Sequence, residues 1–180
     1  MEKFYDITVA GVKRRLPIVQ ISDQLAVASF VMLGDCEVVC AAAQALKDKV
    51  PEADWLVTAE AKGIPLVYEM ARQSGKPYQI ARKYPKLYMT DPVSVQLRSI
   101  TTDKEQTLYL DGPEMAAMRG RRVLIVDDVI STGESLRALA LLVERAGGIL
   151  AGQCAILAEG DAIGREDIVY LEPLPLFPRE

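Results

Sequence analysis

Apolar residues occur along the chain in short blocks separated by stretches with helical spacing. A block of consecutive aliphatic residues predicts a strand buried on both faces, because a half-exposed strand would alternate apolar and polar side chains. The strand candidates are residues 16–21, 55–58, 78–81, 123–126 and 153–157. Helical spacing follows Asp35, Pro65 and Glu134, and strands that alternate with helices predict a doubly wound α/β domain with a mostly parallel sheet.

The three predicted helices have recognisable ends. Asp35 is a suitable N-cap for the first helix, which should end before Pro51. The second helix should begin near Leu66, and the third near Ser135. Gly147 and Gly148 should end the third helix.

Residues 87–111 depart from this alternation. Val93 to Ser99 alternates as an exposed strand would, residues 101–106 are polar, and Thr107 to Leu110 runs back. This pattern predicts a hairpin with a mobile tip. The Asp-Gly-Pro sequence at 111–113 should then turn the chain directly into the strand at 123–126.

The segment 123–135 carries the strongest chemical signal. Asp127 and Asp128 should stand at the end of a buried strand, where open α/β sheets bind their ligands. The loop after them can hold a phosphate, because Gly133 allows close approach and the helix N-terminus offers free N–H groups. Hydroxyl groups are available from Ser131, Thr132 and Ser135. The segment therefore predicts a ligand with a diol or metal-bound face and a phosphate; the alternative is a strand followed by a simple helix cap.

Two further loops follow buried strands and should reach the same edge of the sheet. The turn Glu60–Ala61–Lys62–Gly63 can bind an anion through its N–H groups, whatever the Lys62 side chain does. Arg82, Lys83 and Lys86 form a basic cluster after the strand at 78–81. For both loops the alternative is an ordinary solvated turn.

The bulk composition narrows the classes of partner. The chain has 180 residues, enough for one domain with a sizeable core, and its net charge of −4 argues against general binding of nucleic acid or an anionic membrane. Residues 13–15, Lys-Arg-Arg, are expected in a solvated turn. The sequence contains no 18-residue apolar run and no signal-peptide pattern near its start, so a cytoplasmic protein is expected.

Cysteine and histidine usage exclude two kinds of site. Cys36, Cys40 and Cys154 are expected to be buried thiols, since two thiols without a histidine make a poor zinc site. The chain has no histidine, which excludes hydrolase mechanisms that need a histidine base.

Residues 123–135 resemble the phosphoribosyl pyrophosphate (PRPP) motif of type I phosphoribosyltransferases: four apolar residues, two acids, two apolar residues, then x-Thr-Gly-x-Ser/Thr. The 60–63 loop resembles that family's pyrophosphate loop. The Ala-Arg-Lys-x-x-Lys segment at 81–86 resembles the one that supplies cations to PRPP in adenine and xanthine enzymes, partly across a dimer interface.

The resemblance spans roughly residues 16–176 and implies the type I fold. The single domain of 1–180 would carry a small hood, formed approximately by residues 1–34 and 159–180. A flexible loop, approximately residues 87–111, would close over the site and exclude water. A homodimer is also implied.

The implied reaction is Mg²⁺-dependent transfer of the 5-phosphoribosyl group from PRPP to a purine, with adenine as the first choice and AMP and pyrophosphate as products. Asp127 and Asp128 would be the catalytic residues, holding the ribose hydroxyls and, through water, Mg²⁺. Phe30, Val129 and Glu159 would contact the base. The remaining PRPP contacts would come from Ser131, Thr132, Gly133, Glu134, Ser135, Glu60, Ala61, Lys62, Gly63, Arg82, Lys83 and Lys86.

The identity of the base stays open. Hypoxanthine-guanine enzymes carry an acid where this chain has Ser131, and Gly160 stands where 6-oxopurine enzymes use a lysine. Both features, with the Gly-Arg-Glu sequence at 164–166, favour adenine. However, adenine enzymes usually place a glutamate where this chain has Thr101, so xanthine or another base is an alternative. Further alternatives are a PRPP-binding regulatory protein and a catalytically weak nucleotide-binding relative.

Overall fold

The computed structural model describes residues 3–98 and 105–178. Within these ranges the strands are β1 Phe4–Val9, β2 Val12–Ser22, β3 Leu25–Ala28, β4 Trp55–Ala59, β5 Tyr78–Ala81, β6 Val93–Arg98, β7 Glu105–Leu110, β8 Arg122–Ile130, β9 Ile149–Glu159, β10 Val169–Leu174 and β11 Leu176–Pro178. The helices are α1 Cys36–Lys47, α2 Ile64–Ser74, α3 Gly112–Met118 and α4 Glu134–Arg145. A 3₁₀ turn follows β9 at Gly160–Ala162.

Five strands form a parallel sheet in the order β10-β9-β8-β4-β5. The helices α1 and α2 cover one face of this sheet, and α3 and α4 cover the other. The prediction of a doubly wound, mostly parallel α/β fold is therefore confirmed. Its central strand is β8, which places the segment 123–135 in the middle of the molecule.

The core explains why β8 is apolar on both faces. Leu124 and Val126 pack into the cluster that α1 and α2 line, whereas Val123 and Ile125 pack into the cluster that α4 lines. All four side chains are at most 1% exposed. Burial of such a side chain is worth about 1.5–3 kcal/mol, so both helical layers are held firmly to this strand.

A second, antiparallel sheet joins the two ends of the chain in the order β1-β2-β3-β11. This sheet is the predicted hood. Part of the predicted hood segment 159–180 lies elsewhere, since β10 pairs with β9 in the main sheet. Residues 13–15 were expected in a turn but lie within β2, because β1 pairs with them.

The predicted excursion is a two-stranded hairpin of β6 and β7. Val95, Leu108 and Leu110 are buried, so the hairpin is not an exposed ribbon; it packs against α4. Reciprocal backbone hydrogen bonds of 2.8 Å between Arg82 and Tyr109 join it to the end of β5. The polar tip was predicted at residues 101–106, but residues 105 and 106 belong to β7. The rest of the predicted tip, including the Thr101 position, lies outside the described residues.

Two other expectations are wrong. Residues 111–113 do not lead straight into β8, because Asp111 caps α3 and forms a capping box with Glu114. Cys36 and Cys40 are exposed rather than buried, because they lie on the side of α1 away from the core; Cys154 is buried.

Candidate active site

Three loops meet at the carboxyl ends of β4, β5 and β8, as the parallel pairing of these strands requires. The strand β8 is longer than predicted and continues through both acids to Ile130. It can do so because β9 supplies pairing partners, such as Ala155 for Asp127 and Ala158 for Ile130. The acids are therefore held by the sheet itself rather than by a turn.

The acid pair is in contact with the second loop. Asp128 is 4% exposed, and its Oδ2 lies 2.7 Å from Nζ of Lys62. The backbone N–H of Asp128 donates to Oδ1 of Asp127 at 2.8 Å. Lys62 is thus directed at the acids and is not a surface lysine in a turn, although half of its side chain remains exposed.

The environment disfavours negative charge on Asp127. Burial raises the pKa of Asp127 to about 7, and the neighbouring charge of Asp128 adds to this, while Lys62 opposes it. Burial also raises the pKa of Glu159 at the end of β9, and Lys62 again opposes the rise. The Lys62 ammonium is therefore the local cation for three carboxyl groups, and a ligand cation would be favoured there.

The loop after β4 is shaped by a close backbone approach. A Cβ atom at Gly63 would collide with Oγ1 of the buried Thr58 and would lie 3.5 Å from Oδ1 of Asp127. The peptide bond between Glu60 and Ala61, at the start of the same loop, is cis. Sequence reasoning did not single out Thr58, although its position two residues before Glu60 places it at the end of a buried strand.

Glu60 links the second loop to the third. Its carboxylate accepts from the backbone N–H of Lys83 at 2.7 Å and pairs with Nη1 of Arg82 at 3.2 Å. Partial burial opposes ionisation of Glu60, but the Lys83 hydrogen bond and the Arg82 contact hold its pKa below the usual value. The Glu60 side chain thus fixes the basic segment, while the loop backbone remains the anion-binding candidate.

The loop between β8 and α4 does not end in a residue that caps the helix with its side chain. The N-cap of α4 is Gly133, which has a φ of 76° and no side chain to make a cap hydrogen bond. Ser131 and Thr132 are exposed before it. This arrangement differs from the cap alternative and resembles an anion site at a helix N-terminus.

The proposed base contacts differ in accessibility. Phe30 is 6% exposed and packs in the apolar cluster beneath the hood. Val129 is partly buried against the same cluster, and Glu159 is partly exposed. Of the three, Val129 and Glu159 are open to a ligand in this conformation.

The donor set fits Mg²⁺ bound with substrate. No group of three or more histidine, cysteine, aspartate or glutamate side chains is arranged as a metal cluster within the described ranges. Mg²⁺ commonly keeps several waters and takes one or two carboxylates together with substrate phosphates. Asp127 and Asp128 could supply those carboxylates. Among the described residues no donor meets the buried Oδ2 of Asp128 in hydrogen-bond geometry, and its contact is with the Lys62 ammonium.

A family comparison agrees with this geometry. The model of the Phosphoribosyl transferase domain family matches residues 37–172, which contain all three loops. The chain belongs to this family. No helix in the described part of the chain is long and apolar enough to cross a membrane.

Curated relatives within the family include hypoxanthine/guanine phosphoribosyltransferases. The one from Methanohalophilus mahii is 34% identical over 112 residues, covering 62% of this chain and 55% of the relative. The one from Methanocaldococcus vulcanius is 39% identical over 106 residues, covering 59% and 54%. The chain thus spans about half the length of these relatives.

Solved structures with the same fold include adenine phosphoribosyltransferases. The enzyme from Thermoanaerobacter pseudethanolicus superposes with a TM-score of 0.68 at 23% identity, covering 95% of both chains. The Saccharomyces cerevisiae enzyme, solved with an imino-altritol bisphosphate and adenine, has a TM-score of 0.69 at 18% identity, covering 94% of this chain and 92% of that one. At this level of identity the likeness shows the fold alone.

Proposed function

We propose that the protein is a Mg²⁺-dependent purine phosphoribosyltransferase. The observation that carries the proposal is that Asp127 and Asp128 lie together with Lys62, whose Nζ is 2.7 Å from Oδ2 of Asp128, just before the glycine-capped N-terminus of α4. A carboxylate pair suits a ribose diol and a metal ion, and the helix N-terminus suits a phosphate. PRPP carries all of these groups in one molecule.

Each loop has a separate role in this proposal. Asp127 and Asp128 hold the ribose hydroxyls and, through water, the metal, while the backbone and hydroxyls of 131–135 hold the 5′-phosphate. The backbone of 60–63 binds the pyrophosphate with the cations Arg82, Lys83 and Lys86. Bound Mg²⁺ supplies positive charge that stabilises the departing pyrophosphate.

Adenine is our first candidate for the base. Glu159 and the backbone beside Gly160 offer acceptors for the 6-amino group, and no lysine follows Glu159 to donate to a 6-oxo group. Ser131 likewise lacks the carboxylate that hypoxanthine-guanine enzymes use at that position.

Hypoxanthine or guanine is the second candidate, because the curated relatives at 34% and 39% identity carry that activity in their names. Lys62 is the donor that could serve a 6-oxo group from the other side of the cleft, since it acts electrostatically on Glu159.

Isothermal titration with PRPP, with and without Mg²⁺, tests donor binding directly. We expect binding that depends on Mg²⁺ and is lost in the Asp127→Asn, Asp128→Asn double variant. An absorbance assay with adenine, hypoxanthine, guanine, xanthine, uracil and orotate then identifies the base. Absence of PRPP binding, or full turnover by the double variant, would refute the proposal; PRPP binding without turnover on any base would instead favour a regulatory protein.

The protein is also proposed to act as a homodimer. In this arrangement Lys83, whose backbone is fixed by Glu60, would reach toward the neighbouring site.

A further inference from the structure

Arg165 lies against the loop between β8 and α4, the phosphate loop of the proposal (residues 131–135), although it is 32 residues from Gly133 in sequence. A Cβ atom built on Gly133 would lie 2.7 Å from Nη1 of Arg165. Gly133 is buried beneath this guanidinium group. The absence of a side chain at Gly133 therefore allows the contact, in addition to allowing its positive φ.

The guanidinium group is held from its other edge. Nε of Arg165 donates to Oδ1 of Asp167 at 2.9 Å, and Nη2 donates to Oδ2 at 2.6 Å. This two-point contact leaves Nη1 on the side of Gly133. The described residues provide no hydrogen-bond acceptor for Nη1. An arginine fixed in this way loses little conformational freedom when Nη1 meets an anion.

The turn that carries Arg165 is also fixed. The hydroxyl of Tyr170 accepts from the backbone N–H of Gly164 at 3.1 Å, and the N–H of Arg165 donates to the carbonyl of Ala162 at 3.3 Å. The guanidinium position is thus set by the chain around it and does not require a ligand.

We propose that Arg165 binds the 5′-phosphate of the ribosyl substrate from above the phosphate loop, with Asp167 as its positioning residue. This inference rests on the proposed function. It adds a cation for the 5′-phosphate, which otherwise would be held only by backbone N–H groups and hydroxyls. An Arg–phosphate contact is a charge-assisted hydrogen bond that a lysine or a neutral residue does not reproduce.

The test separates the two anionic parts of PRPP. Binding of ribose 5-phosphate and of Mg²⁺-pyrophosphate is measured by isothermal titration for the wild type, Arg165→Gln and Arg137→Gln. Arg137 is an exposed arginine one turn into α4. Its variant removes the same charge near the same loop, while the backbone hydrogen bond from the Arg137 N–H to the Gly133 carbonyl is kept.

We expect Arg165→Gln to weaken ribose 5-phosphate binding about tenfold or more, and to change pyrophosphate binding less than twofold. Arg137→Gln should change neither by more than about twofold, because an exposed charge is screened by solvent. In turnover, Arg165→Gln should raise the KM for PRPP and leave the KM for the base unchanged.

Equal losses for both ligands would mean that Arg165 only supports the fold, and would overturn the proposal, as would unchanged ribose 5-phosphate binding. If Arg165→Gln does not fold, Asp167→Asn answers the same question, because the arginine remains and only its orientation is released. For Asp167→Asn we expect the affinity for ribose 5-phosphate to fall about threefold or more, while the affinity for pyrophosphate is retained. If the ratio of these two affinities is the same as in the wild type, the proposal is overturned. A wild type that binds neither ligand refutes the proposed function itself.

Discussion

Position 63 needs a glycine because a side chain there would collide with Thr58, and not because of its backbone conformation. Its φ of −69° is open to any residue, but a Cβ atom would strike Oγ1 of Thr58, which is fully buried. The turn that presents the 60–63 backbone to an anion therefore depends on a missing side chain.

Gly63→Ala should lower the free energy of unfolding by about 1–3 kcal/mol, the usual cost of overpacking. It should also weaken pyrophosphate binding, because the loop must shift. In a Thr58→Ala background the same change should cost much less, since the colliding hydroxyl is gone. Urea denaturation of the four proteins gives the coupling energy; additive effects would exclude the collision as the cause.

Asp127 makes ligand-free stability depend on pH. Its pKa is raised from 3.8 to about 7 in the fold, chiefly by burial, so between these values the folded protein binds more protons than the unfolded chain. The free energy of unfolding should therefore fall as the pH rises through this window. Above it, the whole loss of stability caused by ionising Asp127 in the fold should be present.

In Asp127→Asn this contribution to the pH slope should disappear, because the amide does not titrate. Melting temperatures measured between about pH 4 and pH 8 compare the two slopes. Parallel profiles for the two proteins would show that another group controls the dependence.

At the scale of elements, the sequence predicted β4, β5, β8 and β9 of the main sheet and the helices α1, α2 and α4, because their burial leaves a strong periodic pattern. It did not predict β10, the edge strand of this sheet. It missed β1, whose apolar residues alternate with polar ones at the edge of the hood. Ala10 and Gly11, both with positive φ, form the turn between β1 and β2. The small Ala-Gly pair was the available signal for this turn.

Helix α3 was missed for a different reason. Asp-Gly-Pro at 111–113 is typical of a turn, but Glu114 supplies the second half of a capping box, which is a helix-start signal. The end of β8 could not be predicted from local sequence, because only pairing with β9 extends that strand past the acids.

The N-terminus of α1 connects the hood to the main domain. Asp35 accepts from the N–H of Val38 and pairs with Arg14 of β2, whose Nε lies 2.7 Å from Oδ2. Arg14 also contacts Glu37 at 2.7 Å. Asp35 thus caps α1 and also forms an ion pair with a strand of the hood sheet.

Asp35→Ala should lower the free energy of unfolding by about 1–2 kcal/mol, since a lost N-cap alone costs this much. The hydrogen bond from Arg14 holds the pKa of Asp35 below its usual value, so this contribution should fade as the pH falls into the acidic range. Urea denaturation at neutral and acidic pH measures both effects. Asp23→Ala, at an exposed turn residue, is the control, and an equal loss in it would contradict the assignment.

For the whole molecule, the convergence of three loops was predictable, because parallel strands present their carboxyl ends at one edge. The contact between Arg165 and Gly133 was not predictable, because the intervening residues carry no pattern that fixes it. The base remains open for a related reason, since Phe30 and Glu159 come from distant parts of the chain.

Large side chains are exposed within and just after the basic segment. Tyr84, Leu87 and Tyr88 are strongly exposed, and exposed apolar surface commonly marks interaction sites. We expect a dimer of about twice 19.8 kDa by light scattering, with Leu87→Glu shifting it toward the monomer. Ile149→Glu alters an exposed apolar residue elsewhere and should leave the mass unchanged. A monomeric wild type would contradict the expectation.

The pairing of β11 with β3 has a consequence for the order of folding. The hood joins residues from opposite ends of the described chain, so during synthesis the pairing of β3 with β11 is formed last, while β4, β8 and β9 can already assemble. Closing so long a loop is slow, and pulsed hydrogen exchange during refolding should protect amides of β8 and β9 before those of β11. Simultaneous protection would contradict this order. A newly made chain would then have the loops at 60–63 and 131–135 in place before its hood sheet is complete.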